Sequence, residues 1–347
     1  MSDLVIATDS GLYCPAGDFH IDPHRKVPRA VITHGHADHA RPGMGHYWAT
    51  KAGEGLMRAR VGRDSAMTLL DYGERITMGR ATVSLHPAGH VLGSAQVRIE
   101  VAGEVWVVSG DYKRCADPSC APFEPVACDT FITEATFALP VYRWDAPAVV
   151  AQEIFDWWQQ CKAEGKTAVL FCYALGKAQR VLAELTRFFD ADALARGEVE
   201  PVLLHGAMTP LVEVYRKAGV KMMPTEAVGT PPKGAVFAGR LILAPPGASG
   251  TPWMRRFAPY SSGFASGWMR LRGTRRREAY DRGFTMSDHT DWPGLIRTIE
   301  ETGAKRVLAT HGNTDALIAY LKEKGIDAAE LKTAFEGEQG ATTTETA

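Results

Sequence analysis

The stretch "VITHGHADHARPG", Val31 to Gly43, places four side chains that can ligate a metal ion within six residues. They are His34, His36, Asp38 and His39. His34 and His36 are two residues apart, so on an extended segment they point to the same side, and the other two follow at the turn. Neutral imidazoles and a carboxylate suit zinc, or failing that manganese or iron. Four ligands this close together cannot all reach one tetrahedral ion without strain, so the run predicts two ions that share one loop.

Further candidate ligands stand where other apolar strands end. "HPAGHVLGS" offers His90, "VVSGDYKR" offers Asp111, and "VLATHGN" offers His311. The end of a strand is rigid and open to solvent, which makes it a good place for a site. Taken singly, a histidine or aspartate at such a position is more commonly a buried or capping residue than a ligand. Together with the histidine run they fill two coordination shells and leave one aspartate to bridge the ions.

The composition is that of a globular protein with one large domain or about two ordinary ones: 347 residues, 45% hydrophobic and 23% charged. No apolar run approaches the roughly 18 to 20 residues that span a bilayer, and the start "MSDLVIATDSG" does not read as a secretory signal. Six cysteines without a regular framework suit a reducing compartment, and Cys115, Cys120 and Cys128 match no zinc-finger spacing. A cytoplasmic protein without a membrane segment is expected.

The pattern of apolar residues changes near Pro147. Before it, short apolar strands alternate with Gly, Pro and Asp turns. After it, helices and strands alternate as far as about Asp281, which indicates a separate α/β layer. A helix ("DWPGLIRTIEETG"), a strand ("RVLATH") and another helix ("DALIAYLKEKG") follow, and the polar tail is expected to be disordered.

A basic stretch lies towards the end of this layer. The formal net charge of −1 argues against a chain that binds nucleic acid through its overall charge. The stretch from Arg255 to Arg277, however, contains seven arginines and no acidic residue. Five aromatic residues accompany them: Trp253, Phe257, Tyr260, Phe264 and Trp268. Arginines could neutralise backbone phosphates while aromatic rings stack on unpaired bases. The alternative is a solvated basic surface with its aromatic residues in the core.

The ligand pattern resembles that of the metallo-β-lactamase superfamily, whose five motifs occur here in order: Asp9 in "ATDSG", the H-x-H-x-D-H run, His90, Asp111 and His311. The resemblance implies an α/β fold, the αββα sandwich, with two zinc ions per chain. It implies that His34, His36 and His90 hold the first ion. It also implies that Asp38, His39 and His311 hold the second, with Asp111 between them. Asp9 would accept a hydrogen bond that orients ligand histidines.

The inserted α/β layer, with "TEAT" before it and "MSDHTDW" after it, resembles the β-CASP subgroup, which cleaves nucleic acids. Glu134 and His289 match the acidic and histidine motifs of that subgroup, and "FCYALGKAQRVL" resembles its "ALGRAQE" segment. The resemblance implies a metallo-β-lactamase domain over 1–145 and 282–335, a β-CASP cap domain over 146–281 and a tail over 336–347. Asp38, His289 and Glu134 would be catalytic, with His289 protonated beside Glu134 and acting on the phosphate or the leaving oxygen.

The segment "GFASGWM" resembles the "PTGWT" segment of cross-link repair nucleases, which helps to bind a terminal 5′-phosphate. The residues implied here are Ser266, Gly267, Trp268, Arg270 and Arg272. The chain is most similar to bacterial ligase-associated DNA exonucleases, which implies single-stranded or end-containing DNA as substrate, 5′ to 3′ polarity, and an ATP-dependent DNA ligase and a helicase as partners in repair.

Other functions remain open. His311 matches a position that is histidine in the RNA-processing branch, so an RNA-processing nuclease is the alternative substrate assignment. A small-molecule hydrolase of the same fold would lack the inserted layer, Glu134 and His289. A scaffold that only binds nucleic acid would usually have lost metal ligands, whereas every ligand position is filled here.

Overall fold

The computed structural model of the protein describes residues 3–230, 234–271 and 280–332. Within these ranges the chain divides into two compact units. The first unit comprises residues 3–115, 120–143 and 289–332, and the second comprises 116–119 and the described part of 144–288. The predicted tail over 336–347 and the candidate phosphate ligand Arg272 lie outside the described residues.

One sheet of the first unit has six strands that lie side by side in chain order. They are β1 (Ile6–Thr8), β2 (Gly11–Cys14), β3 (Phe19–Ile21), β4 (Arg29–Val31), β5 (His46–Thr50) and β6 (Met67–Leu70). The pairs among β1 to β3 are antiparallel, and those from β3 to β6 are parallel. Helix α1 (Glu54–Val61) covers one face of this sheet, where Met57 and Val61 share an apolar cluster with Ala30 and Tyr47.

The other sheet of the first unit has seven strands, in the order β19-β18-β11-β10-β9-β8-β7. They are β7 (Arg75–Met78), β8 (Ala81–Pro87), β9 (Ala95–Val101), β10 (Glu104–Val108), β11 (Thr130–Ala135), β18 (Arg306–Gly312) and β19 (Asp327–Glu330). The pairs from β7 to β10 are antiparallel, and the remaining three pairs are parallel. The parallel strands β10, β11 and β18 therefore all end at the same edge.

The two sheets pack face to face. Phe19 and Val31 of the first sheet share one buried apolar cluster with Val97 and Trp106 of the second. The far face of the second sheet packs on helices α6 (Trp292–Thr302) and α7 (Thr314–Glu323), through a cluster that includes Phe131. The order helix, sheet, sheet, helix is the predicted αββα sandwich, so the prediction of the fold class is confirmed.

Helix α6 begins and ends where its sequence predicts. The side chain of Asp291 accepts a hydrogen bond from the Gly294 amide (3.0 Å), and Gly303 ends the helix with a φ of 65°. Since the cap stands two residues after His289, it sets the point at which the chain turns from that histidine into the helix.

The second unit contains a six-stranded sheet in which every pair is parallel, in the order β14-β13-β15-β12-β16-β17. Its strands are β12 (Thr167–Phe171), β13 (Val202–Leu204), β14 (Thr225–Ala227), β15 (Leu241–Ala244), β16 (Tyr260–Ala265) and β17 (Arg282–Phe284). Its helices are α2 (Pro147–Ala163), α3 (Lys177–Leu185), α4 (Ala191–Arg196) and α5 (Thr209–Lys217). All five residues of β12 are buried, as expected for a central parallel strand.

Among the described residues, no helix combines the length and the apolar character needed to cross a membrane.

Candidate metal centre

Six of the seven predicted ligand residues converge at one edge of the sandwich, because they follow strands that end close together. The histidine run follows β4, His90 follows β8, Asp111 follows β10, and His311 lies near the end of β18. Gly110 allows the close approach between these segments: its φ is 55°, and a Cβ there would lie 2.7 Å from the Cβ of Thr33.

Asp111 lies at the centre of the cluster and is buried, as are His34, His39 and His90. The Nε2 atoms of His34, His39 and His90 lie 3.5, 3.4 and 3.8 Å from Asp111 Oδ2. His311 Nε2 lies 3.5 Å from the other carboxylate oxygen, Oδ1. His36 Nδ1 is 3.0 Å from both His34 Nε2 and His90 Nε2. Five imidazole rings thus surround one carboxylate.

The hydrogen bonds behind two of these rings indicate which nitrogen carries the proton. Thr33 donates its only hydroxyl proton to Asp22 Oδ2 (2.5 Å), because a carboxylate can only accept. The Thr33 hydroxyl must therefore accept from His34 Nδ1 (3.0 Å), and His39 Nδ1 donates to Asp22 Oδ2 (2.8 Å). In the neutral rings, Nε2 of both histidines then presents a lone pair towards Asp111.

This arrangement fits a bound metal ion. Lone pairs that face a carboxylate repel it unless a cation lies among them, and a neutral imidazole with a fixed tautomer is the form that ligates metals. Asp111 Oδ1 is buried and accepts no hydrogen bond from the described residues, so it retains a lone pair for a cation. Three groups of side chains have ligand atoms close enough to share an ion. They are His34, His36, His90 and Asp111; Asp22, His34 and His39; and Asp111, Glu134 and His311.

The electrostatics of Asp111 and His34 agree with this assignment, whereas His39 carries a proton that it must release before it ligates a metal ion. Burial raises the pKa of Asp111, but His39 and His311 more than offset it and hold that pKa well below its usual range. Burial, and then the charge of His39, lowers the pKa of His34 well below its usual value, which favours the neutral ligand form. Burial also lowers the pKa of His39, but the carboxylates of Asp111, Asp38 and Asp22 raise it well above its usual value. The centre therefore holds negative charge that attracts a cation.

The prediction that Asp9 orients the ligand histidines is wrong, because Asp22 does this instead. The Asp9 side chain is 94% exposed and lies 3.9 Å from Arg25, so it is a surface residue. Asp22 follows β3 and accepts from the amide of Thr33 (2.8 Å) as well as from His39. Both aspartates follow a short apolar strand in the sequence, and only the pairing of the strands separates their roles.

These two aspartates make a matched pair for measuring the effect on metal affinity. We expect Asp22→Ala to weaken metal binding by about 10- to 100-fold, because a ligand histidine loses its orienting acceptor. Asp9→Ala should leave the affinity unchanged. Competition with a coloured chelator measures both, and equal losses in the two variants would contradict the role assigned to Asp22.

Asp38 stands apart from the other predicted ligands. It is half-buried and belongs to none of the three groups of potential ligands among the described residues. Its charge nevertheless acts on its neighbour, since it helps to raise the pKa of His39. Its role as a ligand stays a prediction.

Glu134 and His289 form a buried pair beside the centre. His289 Nδ1 lies 2.7 Å from Glu134 Oε2, which also accepts from the hydroxyl of Thr136 (2.6 Å). Glu134 Oε1 accepts from the amide of Tyr112 (2.8 Å), so the carboxylate is held on both sides. The His289 ring packs 4.8 Å from the ring of the candidate ligand His90, measured between centroids. The structure thus brings the two residues of the acidic and histidine motifs together, as the sequence predicts.

The residues proposed for the 5′-phosphate lie at the end of β16 in the second unit. Ser266 and Gly267 are buried, and the Ser266 hydroxyl accepts from the Trp268 amide (3.4 Å). Arg270 is 3.4 Å from Asp145, which offsets its charge. Of the five aromatic residues in the basic stretch, Phe257 and Phe264 are buried in the core of this unit, and Trp253 and Trp268 pack against it. The alternative given by the sequence, that aromatic residues of the basic stretch lie in the core, therefore holds for Phe257 and Phe264.

The chain is similar to parts of two larger proteins. No family model matches the chain. It is 30% identical over 322 residues to a "Probable DNA ligase" of Opitutus terrae, a match that covers 92% of this chain and 30% of that protein. It is 29% identical over 136 residues to "Endoribonuclease YSH1" of Saccharomyces cerevisiae, which covers 38% of this chain and 17% of that protein. The chain thus spans less than a third of the length of either relative.

A solved structure shares the fold. A "Protein of Unknown Function" from Enterococcus faecalis V583 superposes with a TM-score of 0.55 at 10% identity, over 83% of this chain and 76% of the other. The fold and the similarity to a probable DNA ligase and an endoribonuclease are together consistent with the metallo-β-lactamase superfamily that the motifs resemble.

Proposed function

We propose that the chain is a metal-dependent nuclease that hydrolyses phosphodiester bonds of DNA as an exonuclease, starting from an end that carries a 5′-phosphate. The observation that carries this proposal is the placement of the buried His289–Glu134 pair against the ring of histidines around Asp111. A cation centre and a proton donor side by side match the two needs of phosphodiester hydrolysis: neutralisation of charge and departure of an alkoxide.

The chain would hold two divalent ions, preferably zinc, with manganese or iron as alternatives. His34, His36 and His90 would hold one ion, and Asp38, His39 and His311 the other, with Asp111 shared. Bound divalent ions supply Lewis acidity, which activates water as a nucleophile and offsets negative charge on the phosphate. Asp22 would keep Nε2 of His39 and, through Thr33, Nε2 of His34 available for ligation.

His289 would act as the general acid. Glu134 accepts the Nδ1 proton of His289, which fixes the ring and favours its protonated form. The proton on Nε2 is then the one that can pass to the leaving oxygen or bind the phosphate. Glu134 keeps its position because Tyr112 and Thr136 donate to its two oxygens.

The choice of DNA rests on the relative that matches most of the chain. A similarity that extends over 92% of the chain to part of a probable DNA ligase supports a role in DNA repair beside a DNA ligase. The resemblance of the motifs adds to this proposal that the ligase is ATP-dependent and that a helicase is a further partner. The cysteine content adds a cytoplasmic location. Ser266, Gly267, Trp268 and Arg270 would contribute to the 5′-phosphate pocket, together with Arg272.

RNA is the second candidate substrate. The similarity to endoribonucleases, 29% over 136 residues for the yeast protein, favours it, as does the histidine at position 311. The match to the yeast protein covers 38% of the chain, so it weighs less than the match to the probable ligase, which covers 92%.

One set of substrates tests both candidates. Metal-loaded protein is incubated with DNA and RNA strands of one sequence, each with a 5′-phosphate or a 5′-hydroxyl, and the products are resolved by size over time. Stepwise shortening of the 5′-phosphorylated DNA is the expected result. Internal cuts in RNA with DNA untouched would assign the protein to RNA processing, and intact strands in all four reactions would overturn the nuclease proposal.

A further inference from the structure

A cavity lies between the two sheets of the first unit, beside the metal centre. Strands β2 and β3 line it from one sheet, and β10, β11 and β18 line it from the other. It encloses about 520 Å³, part of which is open to solvent. Pockets that hold small molecules have volumes of roughly 300 to 1,000 Å³, so the cavity is large enough for a ligand.

The most buried part of its lining is apolar. Ile21, Val108 and Ile132 line the cavity and are 1 to 4% exposed. Leu12, in β2, is half-buried and also lines it. Burial of an apolar molecular face against these side chains is favourable, because it removes apolar surface from water on both sides.

Polar groups complete the lining. Thr310 donates its hydroxyl proton to the carbonyl of Thr133 (3.2 Å), and the lone pairs of its oxygen can still accept a hydrogen bond. His24 also lines the cavity, and its carbonyl accepts from Arg41 (3.2 Å), which brings positive charge close by. The lining therefore suits a ligand with apolar faces and polar edges that belongs to an anionic molecule.

The cavity adjoins the metal centre directly. His39 and His311, the ligands proposed for the second ion, are part of its lining. Their Nε2 atoms lie 3.4 and 3.5 Å from the carboxylate oxygens of Asp111. A phosphodiester at the centre would therefore bring the groups that its phosphate joins next to the cavity, and in a nucleic acid those groups are nucleosides.

We propose that this cavity binds the nucleobase of a nucleotide next to the scissile phosphate. The faces of the base pack on Leu12, Ile21, Val108 and Ile132, and its polar edge meets Thr310. The assignment of the ligand rests on the proposed function, because a phosphate at the metal centre is what brings a base to the cavity.

Methyl groups in the lining report occupancy without any cleavage. In zinc-loaded protein with ¹³C-labelled isoleucine δ1 methyl groups, 2′-deoxyadenosine 5′-monophosphate should shift the signals of Ile21 and Ile132. The two signals are assigned by their loss in Ile21→Val and Ile132→Val. Ile76 is the internal control, because it packs on the same apolar cluster but lies in the edge strand β7, three strands away from β10.

A sugar phosphate without a base separates the two parts of the ligand. 2-Deoxyribose 5-phosphate should need a concentration about 10- to 100-fold higher to reach half of its effect on these signals, because it buries no apolar face. Equal midpoints for the two compounds, or no shift of either signal with the nucleotide, would overturn the base pocket.

A variant that fills the cavity tests the same claim from the side of the protein. Leu12→Phe should weaken the nucleotide about tenfold or more in the same titration, whereas Ile76→Phe should leave its midpoint unchanged. Should Leu12→Phe fail to fold, Val108→Leu adds a methylene group from the opposite sheet and is expected to weaken the nucleotide as well. Wild-type midpoints in the folded filling variants would contradict the proposal.

Kinetics with DNA distinguish this proposal from the proposed function. Leu12→Phe should lower kcat/KM about tenfold or more, and an abasic residue on the side of the scissile phosphate whose base is bound should remove most of that difference. An equal loss with intact and abasic strands would overturn the base pocket alone. A protein that shows the base-dependent shifts yet cleaves no nucleic acid would count against the nuclease proposal alone.

Discussion

His289→Ala should lower the turnover of a DNA substrate by about 10²- to 10⁴-fold, which is the usual contribution of a positioned general acid. The metal content should stay at the wild-type level, because His289 bonds Glu134 and only packs against the ring of the candidate ligand His90. Steady-state kinetics and elemental analysis of the same preparation measure the two quantities.

A suitable control is His46→Ala. His46 lies in β5 and pairs with Thr68 (2.9 Å), so its loss removes an imidazole from the same unit without touching the pair. If His289→Ala kept the wild-type turnover, His289 would have no part in the chemical step. Lost metal would make His289 a support of the metal centre instead of an acid.

Asp111→Asn is expected to remove most of the bound metal and to reduce turnover roughly a thousandfold. The amide keeps the shape of the side chain but lacks the negative charge on which His34, His39 and His311 converge. Lewis acidity from a metal is worth several kcal/mol of transition-state stabilisation, and each 1.36 kcal/mol is tenfold in rate.

Asp129→Asn is the corresponding control. Asp129 is exposed and accepts a hydrogen bond from the Val105 amide (2.9 Å), so its amide variant should retain metal and activity. If Asp111→Asn bound metal as tightly as the wild type, the bridging role of Asp111 would be refuted. If it lost metal yet kept its turnover, the metal would have no part in catalysis.

The parts of the centre that the sequence predicts are those with a local signal. His34 and His36 are recognisable by their spacing, and His90, Asp111 and His311 by their position after apolar runs. Parallel strands that end at one edge then bring such residues together without further information. The alternation of strands and helices after Pro147 predicts the separate α/β layer, whereas the αββα sandwich is predicted by the resemblance of the motifs.

The sequence does not reveal Asp22 as the residue that orients the ligand histidines, because no local pattern marks it. It follows β3, a strand of three residues that is too short to show alternation, and it adopts a left-handed φ of 44°. Asp9 follows a similar short strand in "IATDS", so sequence pattern alone does not separate them. Only the pairing of β3 with β4 brings Asp22 to the histidines.

Lys177 and Arg180 illustrate a second limit. Charged residues on a helix ordinarily predict a solvated face, yet these two are buried because their partners come from distant parts of the chain. Ser287, which Arg180 binds, is 107 residues away. A buried ion cluster of this kind requires tertiary contacts that no periodicity reveals.

The most direct test of the central claim is the rate at which the protein shortens a 5′-phosphorylated single-stranded DNA before and after divalent ions are removed by a chelator. Cleavage that disappears with the ions and returns with added zinc or manganese is the expected result. Cleavage that persists in metal-free protein, or its absence from metal-loaded protein, would contradict the account.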